Sequence, residues 1–480
     1  MNIVETIRTE AAALAGKTAV IDGDRTLSYA DLFPAVDAAR DALTALGVSP
    51  GQRIAFLCND GADYIVASLA ILSIPAAIAP ISPSLTPEEA GQVLERIDVH
   101  GLLFDAGLPA PTGTTDDRPA SIPGRTAFRF ARRTVTGSVP PEHDALNAAF
   151  IRFSSGTTGD SKGVLLSHET IIERTSAADK GLAITQEDTV LWVLSMSYHF
   201  VVSILLFLRR GAAIVICRED LPLALAEGVT KHGGTFIYAS PFHYYSLTQS
   251  HEVPSSCLAD VRLAISTAVA LPPDVAGAFR DKFGMQLTSA YGIIEVGLPF
   301  INTMPGEKPG SVGPALPDYD VLIADPDADG VGRILLRGPG MFDAYCSPWQ
   351  SRDDVLKDGW FDTGDVGRLD KDACLFILGR DKNVINFAGM KVFPYEVEEV
   401  IDRHPSVAES LVYAQDHPQY GQLPCARVVI DPRAEGPVSE IELRRHCARH
   451  LAPFKVPKEF AFADRLERTA SGKLRRRSFP

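Results

Sequence analysis

The sequence predicts an α/β protein: a large N-terminal part made of two layered α/β subdomains and a β-rich subdomain, then a small α+β module. Three observations carry this. Short apolar runs alternate with stretches of helical apolar spacing, first over residues 26–104 and again over 189–239. Beyond Pro317 the texture changes to short alternating segments, Val321-Leu322-Ile323 and Gly332-Arg333-Ile334-Leu335-Leu336. The end of the chain sets helical and strand patterns side by side.

Thr26–Leu32 reads as a strand end feeding a helix, because Leu32, Val36, Ala39, Leu43 and Leu46 recur at helical spacing and Gly47 supplies a stop. Arg53–Leu57 is a buried strand, Tyr64–Ile74 an apolar helix and Ala76–Ile81 another strand. Pro87–Ile97 is an amphipathic helix opened by Thr86, followed by the strand Gly101–Phe104. Such alternation predicts a parallel sheet covered on both faces. Residues 106–144, rich in Pro, Thr, Gly and charge, read as a surface excursion. The pattern resumes with a strand at Thr189–Leu194, a helix at Phe200–Leu208, a strand at Ala213–Cys217, a helix at Leu221–His232 and a strand at Thr235–Ala239. Near the end, helices are expected at Pro394–Arg403 and Glu440–His450 around strands at Leu411–Ala414 and Ala426–Ile430.

At 46% hydrophobic and 22% charged residues, the composition is ordinary for a soluble globular protein. A net charge of −14 argues against broad nucleic-acid binding and against adsorption to anionic membranes. The 7 cysteines are scattered without paired spacing, so neither a metal knuckle nor a disulfide framework is predicted, and a cytoplasmic setting fits. No uninterrupted apolar run reaches about 18 residues, and the N-terminus lacks a basic region followed by an apolar core, so no membrane span or leader is expected.

The stretch with most chemistry runs from Phe150 to Leu166. Ser154, Ser155, Thr157, Thr158 and Ser161 offer hydroxyls and Lys162 a positive charge, while Gly156, Gly159 and Gly163 let successive backbone N–H groups converge on an anion. This loop is suited to phosphate. The Walker spacing is absent, since Gly159 is followed by Asp160-Ser161-Lys162. Gly159-Asp160-Ser161-Lys162-Gly163 does fit the Gly-x-Ser-x-Gly elbow of serine hydrolases, which keeps a hydrolase as an alternative. An elbow, however, joins a strand directly to a helix, and here strand-like Val164-Leu165-Leu166 comes before any helix can start at Ser167.

Four further motifs follow in order: Tyr291-Gly292-Ile293-Ile294-Glu295, Gly359-Trp360-Phe361-Asp362-Thr363-Gly364-Asp365, Gly379-Arg380-Asp381-Lys382, and Thr469-Ala470-Ser471-Gly472-Lys473. With the loop they resemble the adenylate-forming superfamily of acyl- and aryl-CoA ligases, adenylation enzymes and luciferases. The resemblance runs over nearly the whole chain. It implies ATP-dependent activation of a carboxylic acid to an acyl adenylate, with pyrophosphate release, then transfer to a pantetheine thiol. Free CoA and the phosphopantetheine arm of an acyl carrier protein present the same thiol, so both remain as acceptors. A luciferase-type oxygenase is the other alternative.

The residue types suit that chemistry. The protein must stabilise a heavily anionic phosphorus. By resemblance, the loop from Ser154 to Gly159 with Lys162 takes the departing phosphates, and Glu295 holds Mg²⁺. Tyr291, with Gly292 beside it, offers a ring for adenine to lie on, and the resemblance implies that Asp365, with Arg380 close by, accepts the ribose hydroxyls. By the same resemblance, Lys473 would reach the α-phosphate and the substrate carboxylate. The resemblance also divides the chain into residues 1–379, a hinge at 380–383 containing Lys382, and a mobile lid at 384–480. Lid rotation would bring up Lys391 and Gly389, where glycine lets a pantetheine arm pass.

Two stretches depart from the family pattern. Ile294 stands where a threonine is usual, and Ser266-Thr267-Ala268-Val269-Ala270-Leu271 replaces Ser-Gly-Gly-Ala-Pro-Leu, adding bulk beside the pocket. His199 matches the histidine of acyl and aryl ligases, and no carboxylate stands in Ser195–Ser203 to hold an α-ammonium. His199, Phe200, Ser240, Thr267 and Ala268 are therefore the expected pocket. Phe200, Val201 and Ile204 suggest an aryl or short-to-medium aliphatic acid, not an α-amino acid, with no positive charge nearby.

Overall fold

A computed structural model describes residues 1–137, 141–153, 162–218, 221–388, 390–434, 436, 438–468 and 474. The chain forms two compact units. Described residues of 1–154, 161–320 and 337–361 make the larger one, and those of 321–336 and 362–480 the smaller.

Among the described residues, the larger unit is built on two sheets. In the nine-stranded sheet, Ala148–Phe153, Ala77–Ile81, Arg53–Leu57 and Gly101–Asp105 lie side by side and parallel. Antiparallel strands extend it at both edges: Gly163–Ser167, Ala344–Cys346 and Trp349–Ser351 on one side, Phe128–Arg132 and Arg118–Ala120 on the other. In the eight-stranded sheet, six parallel strands run in the order Thr288–Ile293, Leu263–Ser266, Phe236–Ala239, Thr189–Trp192, Ala213–Ile216 and Thr18–Asp22. Strands Gly297–Ile301 and Arg25–Ser28 close its two edges in antiparallel fashion.

The helix Ala62–Ser73 touches Ala77–Ile81 of one sheet and Thr18–Asp22 of the other, and every residue from Ala62 to Leu72 is buried. Its apolar character all round is what a helix enclosed on every side needs. The helix Pro87–Ile97 begins as expected: Thr86 Oγ1 accepts from the Glu89 N–H at 3.2 Å, and Glu89 Oε2 accepts from the Thr86 N–H at 2.9 Å.

In the smaller unit, Phe361–Leu369 and Leu375–Arg380 pair antiparallel in a four-stranded sheet with Asp320–Ala324 and Gly332–Arg337. A second sheet is built on the hairpin Val407–His417 and Gly421–Ile430, covered by the helices Pro394–Asp402 and Glu440–His450. Val397, Ile401, Val412, Val428 and Leu443 form its core.

Three expectations are corrected. The stretch 106–144 is not only surface, since Phe128 and Phe130 are buried and their strand pairs with Gly101–Asp105. The helix expected over Phe200–Leu208 begins only at Ile204 and runs to Arg209; a separate short helix, Met196–His199, precedes it, and Ser203 turns its hydroxyl back onto the His199 carbonyl between them. The C-terminal hairpin strands are longer than their apolar runs, because the backbone ladder continues through polar Gln415-Asp416 opposite Gln422-Leu423.

Candidate active site

In open α/β sheets, ligands bind at the carboxyl ends of the parallel strands. The expected residues follow those ends. His199 comes after Thr189–Trp192, Ser240 after Phe236–Ala239, and Thr267 and Ala268 after Leu263–Ser266; Tyr291 and Gly292 lie near the end of Thr288–Ile293, just before Glu295. The phosphate-type loop follows Ala148–Phe153 in the other sheet. Its residues Ser154, Ser155, Gly156, Thr157, Thr158, Gly159 and Ser161 lie outside the described residues. The flanking strands are antiparallel neighbours, with Phe153 opposite Gly163. A strand therefore leads to a strand, which is not the connection of a nucleophile elbow.

Glu295 stands in the turn between Thr288–Ile293 and Gly297–Ile301, where the Val296 N–H donates to the Ile293 carbonyl at 3.1 Å. The turn is tight. A Cβ on Gly292 would lie 2.4 Å from the Gly297 carbonyl oxygen, so only glycine fits there. Three neighbours pin the turn. The Phe342 N–H donates to the Glu295 carbonyl at 2.7 Å, Arg174 Nη1 to the Ile294 carbonyl at 3.0 Å, and the Tyr345 hydroxyl to Glu295 Oε1 at 3.4 Å.

Burial first, then the Glu295 carboxylate, push the Tyr345 phenol upward, which keeps it a hydrogen-bond donor. Lys162 Nζ sits 4.5 Å over the Tyr345 ring and donates to Gln350 Oε1 at 3.1 Å. Tyr345 thus joins Lys162 to Glu295. Neither Tyr345 nor Arg174 carries a motif, and the sequence reading missed both. The pairing of Tyr345 with Val164 brings the tyrosine in, a contact no local pattern records. The Tyr291 ring, half-buried, lies 6.0 Å from that of Phe300.

The helix carrying His199 is held at its start by Asp60, whose Oδ1 accepts from the Met196 N–H at 2.9 Å. Burial raises the Asp60 carboxyl from 3.8 to about 6, opposed by that amide. The folded chain then keeps a proton that the unfolded chain releases, so Asp60's contribution to stability falls as pH rises from 3.8 to about 6. Asp60→Asn keeps an acceptor and never ionises. We expect it to melt above wild type near about pH 7.5, with the gap closing by about pH 4 in a series of thermal melts.

The Trp192 ring meets His199 edge-on at 6.3 Å and stacks on Tyr238 at 5.9 Å; its Nε1 is buried with no hydrogen-bond partner among the described residues. Phe200 is not a pocket wall. It is 0% exposed, with the Tyr64 ring 5.7 Å away on one side, so it presents no open surface here. Nor is the region without positive charge, because Arg152 stacks its guanidinium on Tyr198, beside His199. Ser240 Oγ lies 2.8 Å from His243 Nδ1 at the start of the helix Pro241–Gln249, and Thr267 is buried.

Ala268 has φ +73°, left-handed backbone that favours glycine. Ala268→Gly is therefore expected to stabilise the protein by about 1 kcal/mol, checked by denaturant unfolding.

In the smaller unit, Asp365 and Arg380 are directly paired across Phe361–Leu369 and Leu375–Arg380. Arg380 Nε lies 2.7 Å from Asp365 Oδ1, and its Nη1 donates to the Thr363 carbonyl at 3.1 Å. Asp365 is buried, and its N–H donates to Thr363 Oγ1 at 3.0 Å, whose hydroxyl donates in turn to the Ile334 carbonyl at 2.8 Å. Lys382 is exposed in a short turn, Asp381–Asn383, and Lys391 is exposed on the strand Met390–Val392. Gly389 and Lys473 lie outside the described residues.

The AMP-binding enzyme family model matches residues 7–346, and the model for the AMP-binding enzyme C-terminal domain matches 396–473. The chain is 30% identical to sulfoacetate–CoA ligase of Cupriavidus necator, over 95% of this chain and 92% of that protein. It is 26% identical to 4-coumarate–CoA ligase 3 of Oryza sativa, over 99% of this chain and 91% of the relative. The solved o-succinylbenzoate CoA synthetase of Bacillus subtilis, in complex with its acyl-adenylate intermediate, matches with a TM-score of 0.83 at 25% identity, covering 98% of this chain and 96% of that one. Among the described residues no helix is long and apolar enough to cross a membrane. The chain belongs to the AMP-binding enzymes of the adenylate-forming superfamily and is an acid–thiol ligase of that family.

Proposed function

We propose that the enzyme activates an aryl or short-to-medium aliphatic carboxylic acid with ATP and transfers the acyl group from its adenylate to the thiol of CoA. The observation that carries the reading is the pinned turn holding Glu295, tied through Tyr345 to Lys162 at the carboxyl end of the parallel strands. The relatives' names, one for an aliphatic acid and one for an aromatic acid, support the substrate range, and both name CoA as the acceptor. Luciferase and serine hydrolase chemistry find no such support.

Glu295 is an oxygen ligand of the kind Mg²⁺ takes, backed by a hydroxyl donor and fixed in its turn, so the residues present fit a magnesium site. When bound there, Mg²⁺ would neutralise charge on the phosphate oxygens. In this proposal Lys162 and the hydroxyl-rich loop hold the departing phosphates, Tyr291 lies against adenine, and Asp365 accepts the ribose hydroxyls with Arg380 fixing its carboxylate. Lys473 draws the α-phosphate and the reacting carboxylate together. The hinge at 380–383 and the roles of Lys391 and Gly389 in thiol transfer belong to the same proposal. Unpaired cysteines throughout the chain agree with a reducing compartment such as the cytoplasm.

ATP–pyrophosphate exchange across a panel of carboxylic acids tests the first half-reaction, and mass detection of CoA and carrier-protein thioesters tests the second. Lys473→Ala is expected to slow exchange by at least about 10²-fold, the cost of one transition-state electrostatic group. Near-wild-type exchange in that variant would remove its assigned role. Lys382→Pro is expected to impair thioester formation far more than exchange, and equal losses in the two half-reactions would count against the hinge.

A further inference from the structure

Arg152 is the next-to-last residue of Ala148–Phe153, at the carboxyl end of that strand. Its Nη1 donates to the Tyr198 carbonyl, and its Cζ lies 5.3 Å from the centroid of the Tyr198 ring. Its Nε is buried and meets no hydrogen-bond partner among the described residues, and the residue as a whole is half-buried. A guanidinium carries five N–H donors in a fixed plane, and buried donors are almost always used. Burial lowers the pKa of Arg152, against smaller opposing effects of Glu295 and Tyr198. The Glu295 carboxylate therefore offsets only part of the cost of taking this cation out of water. The group still keeps its proton at any ordinary pH. A desolvated, positively charged fork with a spare donor, packed against the residue before His199, is built to meet an anion.

We propose that Arg152 selects the acid: the enzyme activates carboxylic acids that bear a second anionic group, a carboxylate or a sulfonate, which the Arg152 guanidinium holds while the first carboxylate is adenylated. The inference rests on the adenylation reading above. The chemistry of the two anions favours this division of labour. The reacting carboxylate loses its charge when it becomes a mixed anhydride with AMP, so a permanent cation is of no lasting use to it. The second group keeps its charge through both half-reactions. An acid with an apolar tail would leave the Arg152 guanidinium no anion to face, and sites built to bind a polar substrate group reject analogues that lack it. The unpartnered Nε1 of Trp192, edge-on to His199, adds a second donor near the same helix.

The test is pyrophosphate exchange with matched acids that differ by a methyl or hydrogen in place of the second anion: malonate against propanoate, succinate against butanoate, isophthalate against benzoate, with sulfoacetate alongside. Wild type is expected to favour at least one dianionic acid over its partner by about tenfold or more in kcat/KM, the effect of one charge-assisted hydrogen bond. Arg152→Met is expected to collapse that ratio to about 1 through KM for the acid, and Arg152→Lys to keep part of it. The wild-type ratio needs no variant, so misfolding cannot hide the answer. A wild-type preference for the monoanionic partners overturns the proposal, as does a loss in Arg152→Met shared equally by both members of a pair. A loss carried by KM for ATP assigns the guanidinium to the nucleotide phosphates and also overturns it. Exchange with no acid at all overturns the adenylation reading instead.

Discussion

Glu295→Gln is expected to lower the rate of pyrophosphate exchange by about 10³-fold while leaving the melting temperature close to wild type. Glutamine has the shape of glutamate and still accepts from the Tyr345 hydroxyl, which lies 3.4 Å from Oε1. The turn keeps its backbone anchors, the Phe342 N–H on the Glu295 carbonyl and Arg174 on that of Ile294. What disappears is the one negative charge that the proposed function sets against the phosphates. A neutral amide is a poor partner for a hard divalent cation, so the loss should fall on the chemical step and shrink as magnesium is raised. Exchange within about tenfold of wild type would remove Glu295 from the reaction.

Arg174→Met is expected to destabilise the larger unit by about 3 kcal/mol, measured as a shift in its thermal or denaturant transition. Arg174 is only 1% exposed. Its Nε and Nη2 donate to the Gly340 carbonyl at 2.9 and 2.5 Å, and its Nη1 to the Ile294 carbonyl at 3.0 Å. Burial brings its pKa down to about 10, so it remains charged at neutral pH. Methionine fills similar space and strands both carbonyls, each at a cost of about 1–3 kcal/mol. Gly340 must approach closely for this: at φ +66°, an added Cβ would lie 2.5 Å from the Arg174 backbone nitrogen. Because Ile294 precedes Glu295, exchange should slow as well. A variant of wild-type stability would show that the two carbonyls find other donors.

The position of Ile294 shows how a departure from a motif is read differently once the fold is known. From sequence, isoleucine in place of threonine is a lost hydroxyl. In the folded chain, the Ile294 backbone carbonyl is what holds the turn to Arg174, 120 residues earlier, and that role does not depend on the side chain.

Sequence alone determined the parts of this protein that are periodic or local. Strand and helix lengths in the first sheet follow from apolar spacing, so Arg53–Leu57 and Pro87–Ile97 were legible to the residue. The phosphate-type loop and the Glu295, Asp365 and Lys473 motifs stand out in the sequence because each concentrates unusual chemistry in a few adjacent residues; residues 154–161 and Lys473 lie outside the described residues, and the roles given to these motifs belong to the proposal above. Only tertiary structure decided what packs between distant segments. Phe128 and Phe130 look like loop residues until Gly101–Asp105 offers them a strand to pair with. Phe200 looks like a pocket wall from sequence, whereas in the fold it is buried, with Tyr64 among its neighbours. Tyr345, Arg174 and Arg152 carry no local signal, because hydrogen bonds and ring contacts form wherever the sheets bring side chains together. The physical reason is range: backbone periodicity is written in neighbouring residues, whereas the charge and donors of a site are set by burial among residues that the chain keeps far apart until it folds.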